Sequence, residues 1–165
     1  IEEVLTAPIS YLEMILGYVA GGVARGLTVG VGIYFISIFF GLATIAHFGL
    51  FIFYAVAVAV IFSLLGLVIG LWSDSFEQLS LLNTFIITPL TFLGGVFNSI
   101  YMLPTPAQMF VRFNPFFYFV DGLRYSMIGV SEANVWTGLI IIFSLIIILG
   151  AAVWYLFKIG WRIRS

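Results

Sequence analysis

Charge is missing from three long runs of this sequence. Residues 26–73, 78–111 and 133–157 contain no Lys, Arg, Asp or Glu. A helix that crosses the hydrocarbon of a bilayer needs about 20 apolar residues, each rising about 1.5 Å. The first run has room for two such crossings, with a weak break at 41–49 that holds the single histidine, His47. The second run supplies one crossing from about Leu79 to Val96, and the third one from about Val135 to Phe157. The sequence therefore predicts an all-α, polytopic membrane bundle of four transmembrane helices. Composition agrees: 63% of residues are apolar and 8% charged, against about 25% charged in soluble domains. That excludes an ordinary soluble domain and a disordered chain. A net charge of −1 offers no basic field for nucleic acid. The absence of cysteine excludes disulfides, thiolate metal sites and thiol nucleophiles.

Helix starts are marked at the edges of the apolar runs. Ser10-Tyr11-Leu12-Glu13, Ser75-Phe76-Glu77-Gln78 and Thr105-Pro106-Ala107-Gln108 each read as a hydroxyl cap with Glu or Gln three residues on. Asn114-Pro115 opens another segment, with proline where a first-turn N–H is dispensable. Thr88-Pro89 interrupts the third crossing, and Gly94-Gly95 bends or ends it. Region 99–134 is too aromatic for a free loop, and its apolar runs are too short to span. It reads as short re-entrant or interfacial helices before the last crossing. Lys158, Arg162 and Arg164 follow the last crossing, which places the C-terminus in the cytoplasm. Four crossings return the start of the chain to the same side and leave 99–134 external. The chain begins with Ile, not Met, and is read as a fragment whose N-terminus is missing.

Few residues are candidates for chemistry. Gly22, Gly26 and Gly30 recur every four residues, a spacing that lets another helix approach at backbone distance. Arg25, beside them, either snorkels to the cytoplasmic headgroups or faces a polar interior. A charge left at the centre of the hydrocarbon costs at least ~2.5–3.5 kcal/mol. Arg112, Asp121 and Arg124 form a mixed-sign cluster near an apolar face, suited to a structural ion pair or an external cavity. Catalytic signatures are absent: there is no His-Glu-x-x-His, no Gly-x-Ser-x-Gly and no phosphate-cradling loop. Acidic residues fall only at the edges of the crossings, which argues against an ion-coupled carrier. A non-transporting membrane scaffold is the alternative from another class.

A resemblance adds to this reading. Glu2-Glu3-Val4-Leu5-Thr6-Ala7-Pro8, Gly17-Tyr18-Val19 and Gly22-Val23-Ala24-Arg25-Gly26-Leu27 resemble the ABC-2 family of membrane permeases. So do Thr88 to Phe97, Leu103-Pro104, Asn114-Pro115 and Gly122-Leu123-Arg124-Tyr125 with Gly129. The resemblance is to bacterial inner-membrane members of that family. It implies the transmembrane subunit of an ATP-driven exporter that pairs with a separate ATPase and forms a homodimer. This chain would supply the last four of six helices. The chain itself would bind no cofactor, with ATP and Mg held by the ATPase. Residues 1–9 would form a cytoplasmic coupling segment, with Ile1, Glu2, Glu3, Val4, Leu5 and Pro8 docking on that ATPase.

Overall fold

The computed structural model describes residues 10–41, 44–73, 75–97 and 99–159. The expected docking segment, with Ile1, Glu2, Glu3, Val4, Leu5 and Pro8, lies outside them. Among the described residues, four helices are long and apolar enough to cross a membrane. They are α1 (Tyr11–Phe39), α2 (Phe48–Trp72), α3 (Phe76–Val96) and α6 (Val135–Ile159). Two shorter helices, α4 (Thr105–Phe113) and α5 (Pro115–Ile128), stand between α3 and α6. The chain is thus the all-α membrane bundle that the charge-free runs predict.

The caps explain where the helices begin. Ser10 makes the full reciprocal box with Glu13: the hydroxyl accepts the Glu13 N–H at 3.3 Å, and Glu13 Oε2 accepts the Ser10 N–H at 2.8 Å. Ser75 caps α3 by accepting the Gln78 N–H. Asn114 caps α5, its Oδ1 accepting the Phe116 N–H at 3.0 Å. The expected cap at Thr105 is not observed. Thr105 is already helical, Pro104 occupies the cap, and Gln108 turns its amide to the Leu103 carbonyl at 2.8 Å. Pro104 has no side-chain acceptor to offer, and Pro106 removes one N–H from the first turn.

α1 and α2 form an antiparallel hairpin, turned at Gly41 with φ of 69°, a left-handed conformation that glycine adopts without penalty. Gly22 lies against Ser63, Gly26 against Ala59, and the Tyr34 and Phe51 rings are 5.9 Å apart. That register sets Arg25 level with Val60, the middle residue of α2. Arg25 is therefore near mid-depth, about 15 Å from either edge of the hydrocarbon. A guanidinium on three methylenes does not reach that far, so snorkelling does not account for it.

Two packed clusters run the length of the bundle. Met14, Ile15, Leu64, Val153 and Phe157 join the start of α1 to the ends of α2 and α6. Tyr54, Ala57, Ile61, Phe116, Phe119 and Ile142 join α2, α5 and α6 nearer the other end, here termed the loop end. Lipid supplies no hydrophobic force between helices, so close contact and dispersion hold these faces together. The outward faces stay apolar, with Ile140, Ile147 and Ile148 of α6 all more than 60% exposed, as lipid contact requires. Trp136 and Trp154 are exposed near opposite ends of α6, about 27 Å apart at 1.5 Å per residue. That matches two aromatic belts across one hydrocarbon core.

α3 is irregular. Asn83–Ile87 and Phe92–Val96 are π turns on either side of the short segment Thr88–Thr91. Pro89 has no N–H to give the ladder, and the interruption expected there takes the form of these wide turns. The Thr88 N–H and hydroxyl both reach the Asn83 carbonyl, five residues back. Gly95, with φ of 81°, ends the crossing as expected. α3 meets the bundle chiefly through its last two turns, which rest on α5.

Candidate functional site

The polar side chains of the loop end converge on one network. Asp121, on α5, is 3% exposed. Its Oδ1 accepts the Glu132 N–H at 2.7 Å, and its Oδ2 accepts the Ala133 N–H at 3.1 Å and the Ser131 hydroxyl at 2.8 Å. One carboxylate thus gathers the turn that leads into α6. One helical turn further along α5, Arg124 donates from Nη1 to Glu132 Oε1 at 3.0 Å and from Nη2 to the Gly95 carbonyl. Glu132 Oε2 in turn accepts the Ile100 N–H at 2.8 Å, at the start of the 3-10 turn Ile100–Met102. Cation and anion each sit at the favourable helix end: Arg124 on the open carbonyls of α3, Glu132 on the free N–H groups of a short turn.

Neighbouring contacts complete the clamp. Asn114 Nδ2 donates to the Leu90 carbonyl of α3 at 2.7 Å, while its Oδ1 caps α5. Gly94 and Gly95 press on Phe116 and Phe117: a Cβ at Gly94 would lie 3.1 Å from the Phe116 Cβ. The loop between α1 and α2 joins in. Ala46 N–H and His47 N–H bond to the Met127 and Ser126 carbonyls at 3.0 and 2.9 Å, and the His47 ring stacks on Tyr125 at 5.1 Å. The Tyr54 ring lies against the backbone of Gly122, where a Cβ would fall 2.0 Å from Cε1. Its buried hydroxyl has no hydrogen-bond partner among the described residues. An apolar cleft of about 210 Å³ lies between α3, the 3-10 turn and α4, lined by Phe92, Leu93, Phe97, Ile100, Leu103 and Val111.

The structure separates the residues that the sequence grouped. Asp121 and Arg124 share one network but do not pair with each other; Glu132 joins them. Arg112 stands apart, its side chain exposed and its carbonyl accepting the Tyr118 hydroxyl at 2.9 Å. Gly22 and Gly26 face α2, whereas nothing lies within 4 Å of a Cβ built on Gly30. Glu132, Asn114 and Tyr54 were not candidates from sequence. A lone acid at the threshold of a crossing was the available signal for Glu132. Among the described residues, no group of three His, Cys, Asp or Glu could hold a metal. Every oxygen of Asp121 and Glu132 is engaged, so the network is built to hold four elements in register.

Residues 1–128 match the family model of the ABC-2 type transporter. The chain belongs to the ABC-2 type transporter family. It is 39% identical over all 165 residues to the inner membrane transport permease YadH of Escherichia coli K12, and equally to that of Shigella flexneri. It spans 64% of the length of these curated relatives. Nodulation protein J of Rhizobium leguminosarum bv. viciae is 28% identical over 138 residues, 81% of this chain and 52% of that protein. No solved structure matches. The family match covers α1 to α5 of this ABC-2 chain, and the likeness to YadH extends through Glu132 and α6.

Proposed function

We propose that this chain is the membrane-spanning part of an ATP-binding cassette exporter subunit. The observation that carries the reading is the 39% identity along the whole chain to a transport permease. The bundle supports it, because its described residues form four helices of crossing length, clamped together by a charged network. ATP and Mg are bound by a separate ATPase, to which Ile1, Val4 and Leu5 dock by an apolar stripe at helical spacing. Two permeases pair and rock between inward and outward arrangements when the ATPase dimer closes on nucleotide. The cargo is amphipathic, a lipid-like molecule or a polysaccharide. The protein sits in the bacterial inner membrane with Ser10 and Ile159 toward the cytoplasm and the loop end outside. Basic residues beyond α6 support this orientation.

The test uses the complete protein and its ATPase. Val4→Asp or Leu5→Asp releases the ATPase on purification and abolishes nucleotide-dependent transport in vesicles. Unchanged co-purification with unchanged transport removes the docking claim. Transport without the ATPase, driven by an ion gradient, removes the exporter reading. Orientation is read from single cysteines at Ser99 and Ser165. An impermeant thiol reagent labels only Ser99→Cys in cells with a permeable outer envelope.

A further inference from the structure

Arg25 is the one charge of the described residues at mid-depth, level with the middle residue of α2. It is exposed on the surface of this chain and makes no hydrogen bond, ion pair or ring contact among the described residues. Among the described residues, no acid is near its level. Glu13 is most of a half-membrane away along α1, about 18 Å at 1.5 Å per residue. Asp121 and Glu132 are committed at the loop end.

The face of α1 that carries Arg25 is unlike its other exposed faces. Tyr18, Gly21, Arg25, Thr28 and Gly32 follow one another at alternating spacings of three and four, the pattern of a helix–helix seam. All five are exposed, and among the described residues nothing lies within 4 Å of a Cβ at Gly21 or Gly32. No large aliphatic side chain occurs in that seam. Elsewhere along α1 the exposed residues are Val29, Ile33, Phe35 and Ile36, which suit lipid. Small residues in a membrane helix admit another helix at backbone distance. A guanidinium in the seam requires an acceptor from the arriving partner, and a carboxylate matches its planar fork.

We propose that a transmembrane helix from outside these 165 residues packs along Tyr18, Gly21, Arg25, Thr28 and Gly32 and presents an Asp or Glu carboxylate to Arg25. A second copy of the same face is a poor fit, because a two-fold axis there would set Arg25 against Arg25. The permease relatives are longer than this chain, which covers 64% of them, so sequence for such a helix is available within proteins of this kind. The inference does not depend on what is transported or on its energy source.

The experiment uses the complete protein, with its partners, in native membranes and with Arg25 intact. A photo-crosslinking residue is placed at Gly21 and, separately, at Thr28, and the captured peptide is sequenced. The expected product is an apolar segment of about 20 residues that contains an Asp or Glu. The charge swap follows. Arg25→Glu alone lowers the yield of folded protein about tenfold, as loss of one half of a buried pair does. Combining it with the acid→Arg change in the captured segment restores the yield to within about twofold of the original. Capture of lipid alone, or of a segment without an acid, overturns the proposal, as does a swap that fails to restore. Rapid labelling of Gly21→Cys or Thr28→Cys by a water-soluble thiol reagent also overturns it, since the seam would then face an aqueous path.

Discussion

The Arg124 guanidinium lies 3.0 Å from the Glu132 carboxylate, with the two side chains 23% and 11% exposed. Each partner also holds a backbone group of a third element: Arg124 the Gly95 carbonyl, Glu132 the Ile100 N–H. Removing either side chain therefore releases two contacts and strands a largely buried charge.

Glu132→Ala is expected to destabilise the bundle by about 2–4 kcal/mol, below the full range for a buried pair because Arg124 is partly exposed. Glu132→Gln, which still accepts from Ile100, should lose roughly half as much. A double-mutant cycle with Arg124→Gln, read by denaturant unfolding in detergent, should return a coupling of at least ~1 kcal/mol. A coupling near zero would show that the pair is ornamental.

Asp121 accepts three hydrogen bonds from residues 131–133. Asp121→Asn keeps the shape but replaces one acceptor oxygen by a donor, which then faces donors. We expect a loss of about 2–3 kcal/mol, against about 1.5 kcal/mol for Ser131→Ala, which removes one of the three donors to that carboxylate. Equal losses from the two changes would contradict the assignment of Asp121 as the hub.

Gly22 and Gly30 separate cleanly. A Cβ on Gly22 would lie 2.2 Å from Ser63 Oγ and 2.9 Å from Ser63 Cβ, whereas one on Gly30 meets nothing. Gly22→Ala should cost about 1–3 kcal/mol and be rescued by Ser63→Gly. Gly30→Ala should be neutral, or stabilising by up to about 1 kcal/mol through helix propensity. Thermal unfolding of the detergent-solubilised protein decides between them.

Gly122 and Tyr54 give opposite expectations at one contact. Gly122→Ala sets a methyl inside the Tyr54 ring and should prevent α5 from seating on α2, at about 3 kcal/mol or more. Tyr54→Phe removes a buried hydroxyl that has no partner among the described residues, so it should be neutral or stabilise by about 1 kcal/mol. A clear loss on Tyr54→Phe would mean that the hydroxyl is hydrogen-bonded after all.

Much of this architecture is legible in sequence because crossings are local. A run without charge and a cap at its edge are properties of neighbouring residues, and Ser10-x-x-Glu13 and Asn114-Pro115 behave as their patterns say. The partners of the polar network are not local. Asp121 and Arg124 sit three residues apart and read as a pair, yet each is matched eight or more residues further on, and Glu132 reaches back 32 residues to Ile100. The depth of Arg25 was equally hidden, because it depends on how α1 slides against α2, which Gly22, Ser63, Gly26 and Ala59 decide by fit.

The bonds from Ala46 and His47 to Met127 and Ser126 impose an order on biosynthesis. The hairpin of α1 and α2 is complete long before α5 exists, and about 5–20 residues are added each second. For several seconds the turn at 44–47 and the end of α3 must wait with backbone groups open: the Leu90 and Gly95 carbonyls lack Asn114 and Arg124. The loop end therefore cannot close until α5 and Glu132 have been made. A slow or truncated translation product that stops short of Glu132 would leave three inserted crossings without their lock, a natural target for membrane proteolysis.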